Sequence, residues 1–147
     1  MTESYDAVTK LVIDRLNTIS KANGYLNNLT VLNGWLTFYA KDLANGKNGK
    51  TFPAVSVHYG SDTYKCNTGA IDATVDRTIK ITGAVTTDTP EEVNEKLDDL
   101  LKDVKVALGT NRKLTIVSAD FMLPEGNDPY AMFDMTLVVN INEKWEL

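Results

Sequence analysis

The sequence has one cysteine, Cys66, and one histidine, His58. A single cysteine excludes an internal disulfide framework and any multi-thiolate zinc site. A single histidine means that any serine or cysteine nucleophile activated by imidazole would have to use His58. No apolar run approaches the roughly 20 residues that a bilayer-spanning helix needs. The opening MTESYDAVTK lacks a basic stretch followed by an apolar one, so no secretory signal is expected. Positive charge is also in deficit, with 15 basic against 20 acidic residues and a net charge of −5. That balance argues against tight binding to nucleic-acid phosphate, while leaving open a channel through which DNA slides without sticking. There is no internal repeat and no low-complexity stretch.

What remains is ordinary globular material. The chain has 147 residues, 43% of them hydrophobic and 24% charged. That is the length of one domain, and a chain of this size buries about two-thirds of the surface its unfolded form exposes. The expectation is a single domain over residues 1–147, soluble and intracellular, outside the common enzyme types.

Periodicity divides the chain into seven elements. Tyr5, Val8, Leu11, Val12, Leu16 and Ile19 recur at spacings of three and four, which predicts a helix over residues 4–22 with Ser4 as its cap. Gly24 suits the left-handed position after it. Residues 29–40 alternate with period two and are rich in aromatic and β-branched side chains, which reads as a strand. Residues 41–50, holding Lys41, Lys47 and Lys50 among glycines and asparagines, read as a loop. With a second strand at 53–59 they predict a hairpin with a long basic tip. Residues 60–73 read as an exposed loop, and 77–86 as a third strand. Thr89, Pro90 and Glu92 match a capping box that starts a helix with the stripe Val93, Leu97, Leu100, Leu101, Val104 and Leu108. Gly109 ends it. Residues 114–122 read as a fourth strand and 133–142 as a long fifth one. The order αβββαββ predicts an α+β fold: an antiparallel or mixed sheet of four to five strands with two helices on one face. The other face would carry Thr, Lys, Arg and Asn, with Trp35, Tyr39 and Trp145.

Candidate chemistry is sparse. His58 lies opposite in phase to Val55 and Val57, with no nucleophile or orienting acid beside it, and reads as a strand-surface or interface histidine. Cys66 has no CxxC partner and reads as an incidental thiol. Asp98, Asp99 and Asp103 are interspersed with lysines at helical spacing and read as a solvated face. Asp120, Glu125 and Asp128 flank a loop and could hide a carboxylate pair, the ordinary reading being a plain or interface loop. KNGK at 47–50 lacks the glycine spacing of a phosphate loop. No metal, nucleotide or flavin signature is present, so no cofactor is expected.

Several runs, spread along nearly the whole chain, resemble the tail terminator, or tail completion, proteins of long-tailed bacteriophages, of the lambda minor tail protein U type. They are NGYLNNL (23–29), FPAVSVHYGSD (52–62), RTIKITGAV (77–85), TPEEVNEKLDDLLKDVKVAL (89–108) and MFDMTLVVNINEKW (132–145). The resemblance implies a structural virion protein without catalytic residues. Such proteins form a hexameric ring on the head-proximal end of the tail tube, assembled in the host cytoplasm. The ring stops tube growth and meets the head–tail connector, while DNA passes through its lumen. Expected partners are further copies of the chain, the tail tube protein and the connector; no membrane is expected. On exposure and residue type the expected interface residues are Lys47 and Lys50, Tyr59 and Tyr64, and Trp35, Tyr39 and Trp145. Trp35 and Tyr39 are equally at home in a core. Two other classes compete: another neck or connector subunit, and a small hydrolase or ligand-binding domain using His58 with Asp120 or Asp128.

Overall fold

A computed structural model describes residues 5–67, 69, 71–109, 113–123 and 129–145. The expected Ser4 cap, the Tyr5 side chain, Glu125 and Asp128 lie outside the described residues. Among the described residues the chain runs α1 (Tyr5–Leu16), β1 (Thr30–Asn33), α2 (Ala40–Asn45), β2 (Ala54–Lys65), β3 (Asp72–Thr86), α3 (Val93–Leu108), β4 (Leu114–Met122) and β5 (Tyr130–Lys144). Five strands form one mixed sheet in the order β1-β2-β3-β5-β4. Only β1 and β2 are parallel. The fold is α+β, as the periodicity predicts.

Strand alternation decides what each face carries. Val55 and Val57 of β2, Ile79 and Ile81 of β3, and Phe133, Met135, Leu137 and Val139 of β5 point to one side and are buried. On that side lie α1, through Val8, Val12 and Leu16, and α3, through Leu97, Leu100, Leu101, Val104 and Leu108. Each such side chain contributes on the order of 1.5–3 kcal/mol, so burial rather than helix propensity holds both helices in place. Gly83 faces Phe133 across the β3–β5 pair, and a Cβ there would lie 2.3 Å from the aromatic ring. The missing side chain is the space the ring fills.

Residues 29–40 do not form one strand. β1 ends at Asn33, Gly34 takes φ 110°, and a 3-10 turn at Leu36–Phe38 leads into α2. Leu36, Tyr39, Ala40 and Leu43 fall at helical spacing and pack on the opposite sheet face against Leu32, Ala54 and Ala84. The expected hairpin is therefore a crossover: residues 34–53 carry the chain over that face so that β2 returns parallel to β1. The expected lysine-rich loop is largely α2 and a second 3-10 turn, Lys47–Gly49.

The expected 60s loop is mostly strand. β2 continues to Lys65 and β3 begins at Asp72, with a register shift between Tyr59 and Asp62. The backbone is satisfied by pairing while the side chains stay polar, which hides the strands from a hydrophobicity pattern. β1 pairs only as far as Val57, and β4 starts opposite Val139. The outer parts of β2, β3 and β5 thus continue as a three-stranded arm.

Helix ends also differ from expectation. α1 stops at Leu16, and Ser20 Oγ accepts from Asn23 N at 3.3 Å to cap a separate turn closed by Gly24 at φ 89°. Thr89 makes no side-chain cap; Asp88 accepts its N–H at 3.1 Å and a 3-10 turn precedes α3. Asp103 is not on a solvated face. It is buried and accepts from Leu26 N at 3.1 Å, Asn27 N at 2.9 Å and Asn27 Nδ2 at 2.9 Å. Its carboxylate pins the segment before β1 onto α3.

Asp103→Ala leaves those donors without their acceptor and should destabilise the fold by about 2–4 kcal/mol in urea unfolding. Gly83→Ala should cost about 1–3 kcal/mol by overpacking, with partial recovery when combined with Phe133→Leu. Independent, additive effects of those two substitutions would contradict the contact.

Candidate functional site

The expected interface residues gather in two places. The first is the crossover on the β1 side of the sheet. Trp35 stacks on His58 with ring centroids 4.9 Å apart, and Phe38 meets Trp35 edge-on at 6.4 Å. Tyr39 is half-buried and donates its hydroxyl to Asn33 O at 2.6 Å, so it belongs to the smaller core rather than to an open surface. Lys50 is turned inward, 5.8 Å from the Tyr39 ring and 3.7 Å from Asp42. Lys47 stays exposed. A cleft of about 500 Å³ beside this cluster is lined by Lys10 and Ile13 of α1 and by Gly34, Trp35 and His58.

The second place is the arm. Arg77 forms two 2.6 Å hydrogen bonds to Asp62 and lies 4.6 Å over the Tyr59 ring. Tyr64 donates to Asp62 at 2.9 Å and meets Trp145 edge-on at 5.8 Å. Tyr59 Oη and Thr9 Oγ1 are 3.1 Å apart, tying the arm's base to α1. Trp145 therefore sits with Tyr64 on the helix side of the arm, not on the opposite face as expected, because it shares the phase of Ile141 and Glu143. The Arg77 hydrogen bonds hold the Asp62 carboxyl below the usual carboxylate range, and the bond to Asp62 raises the Tyr64 hydroxyl.

A third surface has no counterpart in the sequence reading. At the end of β4, Phe121, Met122 and Leu123 are exposed and border a groove with Pro90, Val93 and Leu97. Three consecutive apolar residues at a strand end exceed what alternation can bury, and that was the signal available.

The geometry bears directly on His58 as a catalyst. β3 and β5 lie between β2 and β4, so Asp120 is three strand spacings away, about 14 Å. Asp120 stands opposite Asp134, not His58. Asp128 lies outside the described residues. Ser56 shares the His58 face, yet it is fully buried and its Oγ has no hydrogen-bond partner, which denies a substrate access to it. His58 Nδ1 is likewise buried without a partner. Burial lowers the imidazole pKa from its ordinary 6.5, with Asp134 opposing and Lys80 adding to the shift. Among the described residues no three His, Cys, Asp or Glu side chains gather as a metal would require. None of the described helices is long and apolar enough to cross a membrane. Comparison with known proteins returns no matching family model and no curated protein of significant similarity.

Folding lowers the His58 pKa, so below 6.5 the unfolded chain takes up a proton more readily than the folded one. This contribution to stability is complete above that pH and is lost as pH falls from the unfolded pKa toward the folded one. Asp62, lowered from 3.8, loses its contribution only further into acid. Proton NMR of the single imidazole should give a midpoint below 6.5, and Trp35→Ala should move it upward by admitting water. A wild-type midpoint at or above 6.5 would contradict the burial of the ring.

Proposed function

We propose that the chain is a tail terminator subunit of a long-tailed bacteriophage. In this reading it forms a hexameric ring on the head-proximal end of the tail tube, ends tube polymerisation and offers a surface to the head–tail connector. It acts without a cofactor and without catalysis. The observation that carries the reading is the pair of unlike exposed patches on opposite sides of one sheet. The aromatic crossover lies on the β1 side, and the Phe121–Leu123 cluster on the β4 side. A closed ring needs a patch that meets a different patch on the neighbour, since like-to-like contact ends at a dimer. The sequence runs that resemble tail terminators supply the setting of such a ring.

The division of labour follows from that arrangement. The flanks of each subunit are used by its neighbours in the ring. The two rims face the tube and the connector. The rim toward the tube imitates the end of a tube subunit and docks on the last ring; the other lacks groups that would recruit another one. The arm, with Tyr59, Tyr64 and Trp145 held by the Asp62–Arg77 pair, projects a rigid aromatic face suited to one of these docking steps. Aromatic residues and arginine are the side chains that carry most binding energy at protein contacts. An acidic chain lines a lumen that DNA crosses without being held.

Electron microscopy of particles made without this protein should show overlong tubes that carry no heads. Tubes of normal length that fail to join heads would instead identify a connector subunit. Complete, infectious particles would refute both structural roles.

A further inference from the structure

The two sides of the sheet complement each other in charge as well as in shape. On the β1 side, Phe38 is 78% exposed and Trp35 49% exposed, forming an apolar knob. Lys41 and Lys47 stand exposed in the same crossover, whose only acid, Asp42, is engaged by Lys50. The knob is therefore apolar at its tip and basic around it. On the β4 side, the groove of about 640 Å³ opens between Pro90 and Val93 before and within α3 and Phe121 and Leu123 at the end of β4. The segment 88–99, whose Pro90, Val93, Asn94 and Leu97 line it, holds Asp88, Glu91, Glu92, Glu95, Asp98 and Asp99 against Lys96 alone. Lys96 is itself drawn to Asp88 at 3.0 Å. The groove itself is lined by apolar and uncharged polar residues, and the segment that supplies its α3 wall is strongly acidic.

We infer that the crossover knob of one copy seats in the apolar groove of the next, beside the acidic start of α3. Phe38 and Trp35 meet Phe121 and Leu123, while Lys41 and Lys47 face Glu91, Glu92 and Glu95. A second copy is the occupant because one chain supplies both halves of the match. Two copies each carrying −5 repel unless the basic segment of one meets the acidic segment of the other, so the segregated charges select this orientation. β1 and β4 are the outermost strands, and every copy thus offers a knob on one flank and a groove on the other. Such a contact repeats head to tail. The inference rests on the ring reading above and names its subunit contact.

Three full-length variants test it: Lys41→Glu with Lys47→Glu, Glu91→Lys with Glu92→Lys, and all four substitutions in one chain. The altered positions are exposed, and circular dichroism should match the wild type for each. Sedimentation equilibrium at low salt should show each paired reversal weakening self-association by about tenfold or more. The fourfold variant, with both patches reversed, should recover to within about threefold of wild type. A fourfold variant no tighter than the weaker pair overturns the contact, as does a wild-type chain that stays monomeric at concentrations on the order of 1 mM. Tube length in particles carrying the same variants separates the two claims. Normal termination by every variant, where deletion gives overlong tubes, sinks the contact and keeps the function. Normal tubes after deletion, with charge-swap rescue intact, sink the function and keep the contact.

Discussion

Everything in this molecule is positioned by the pairing of β3 with β5. The two strands are 15 residues each and pair without a break from Asp72–Lys144 to Thr86–Tyr130. At roughly 3.4 Å per residue this ladder is about 50 Å long, far more than α1 or α3 can cover. Its period of two sends Ile79, Ile81, Phe133, Met135 and Leu137 to the helices, and Lys80, Thr82, Asp134 and Thr136 to the other face. A slip of one residue would exchange those sets, so burial fixes the register. Because the ladder outruns the helices, its far end stands out as the arm. Because it lies in the middle of the sheet, it also keeps β1 and β4 apart and gives the molecule two different flanks.

The parts legible in the sequence are those where one period dominates. The stripe from Val93 to Leu108 gave α3, and the alternation from Phe133 to Ile141 gave β5. β4 falls on the bounds expected for it. The crossover was misread because two periods overlap there. Residues 29–40 are rich in aromatic and β-branched side chains, which suits a strand, yet from Leu36 onward it is Leu36, Tyr39, Ala40 and Leu43 that are drawn toward the core, at helical spacing. The arm was misread for the opposite reason: on β2 its residues 60–65 are polar or exposed and none is buried, so hydrophobicity carries no trace of that stretch of strand. What holds the arm is pairing with neighbours distant in sequence, such as Arg77 on Asp62 and Asn140 on Asp76. Asp103 shows a third kind of failure. Its charge at helical spacing matches a solvated face, and only the donors of Leu26 and Asn27, more than 70 residues earlier, reveal that it is internal.

The candidate surfaces follow the same division. Trp35, Tyr59, Tyr64 and Trp145 are exposed or edge-on aromatics, and residue type was enough to single them out. Tyr39 and Lys50 were also singled out, but they serve the crossover's own stability, the tyrosine by its bond to Asn33 and the lysine beside Asp42. The groove at Phe121 and Leu123 needed the fold, since it exists only where the end of β4 meets the start of α3. His58 is the reverse case. In sequence it is the one imidazole, which any Ser/His/Asp or Cys/His site would have to use; in the fold it lies under Trp35, three strands from Asp120. Its surroundings favour packing over proton transfer, and they place it beneath the same aromatic knob that the ring contact would use.

Head-to-tail assembly is tested most directly by disulfide trapping. In a chain with Cys66→Ser, cysteines placed at Phe38 and Leu123 would join only where the knob of one copy reaches the groove of another. Oxidation of protein assembled on tails should give a ladder of covalent oligomers that stops at six. A dimer with nothing above it would contradict head-to-tail assembly, and no cross-link at all would contradict the knob-in-groove contact.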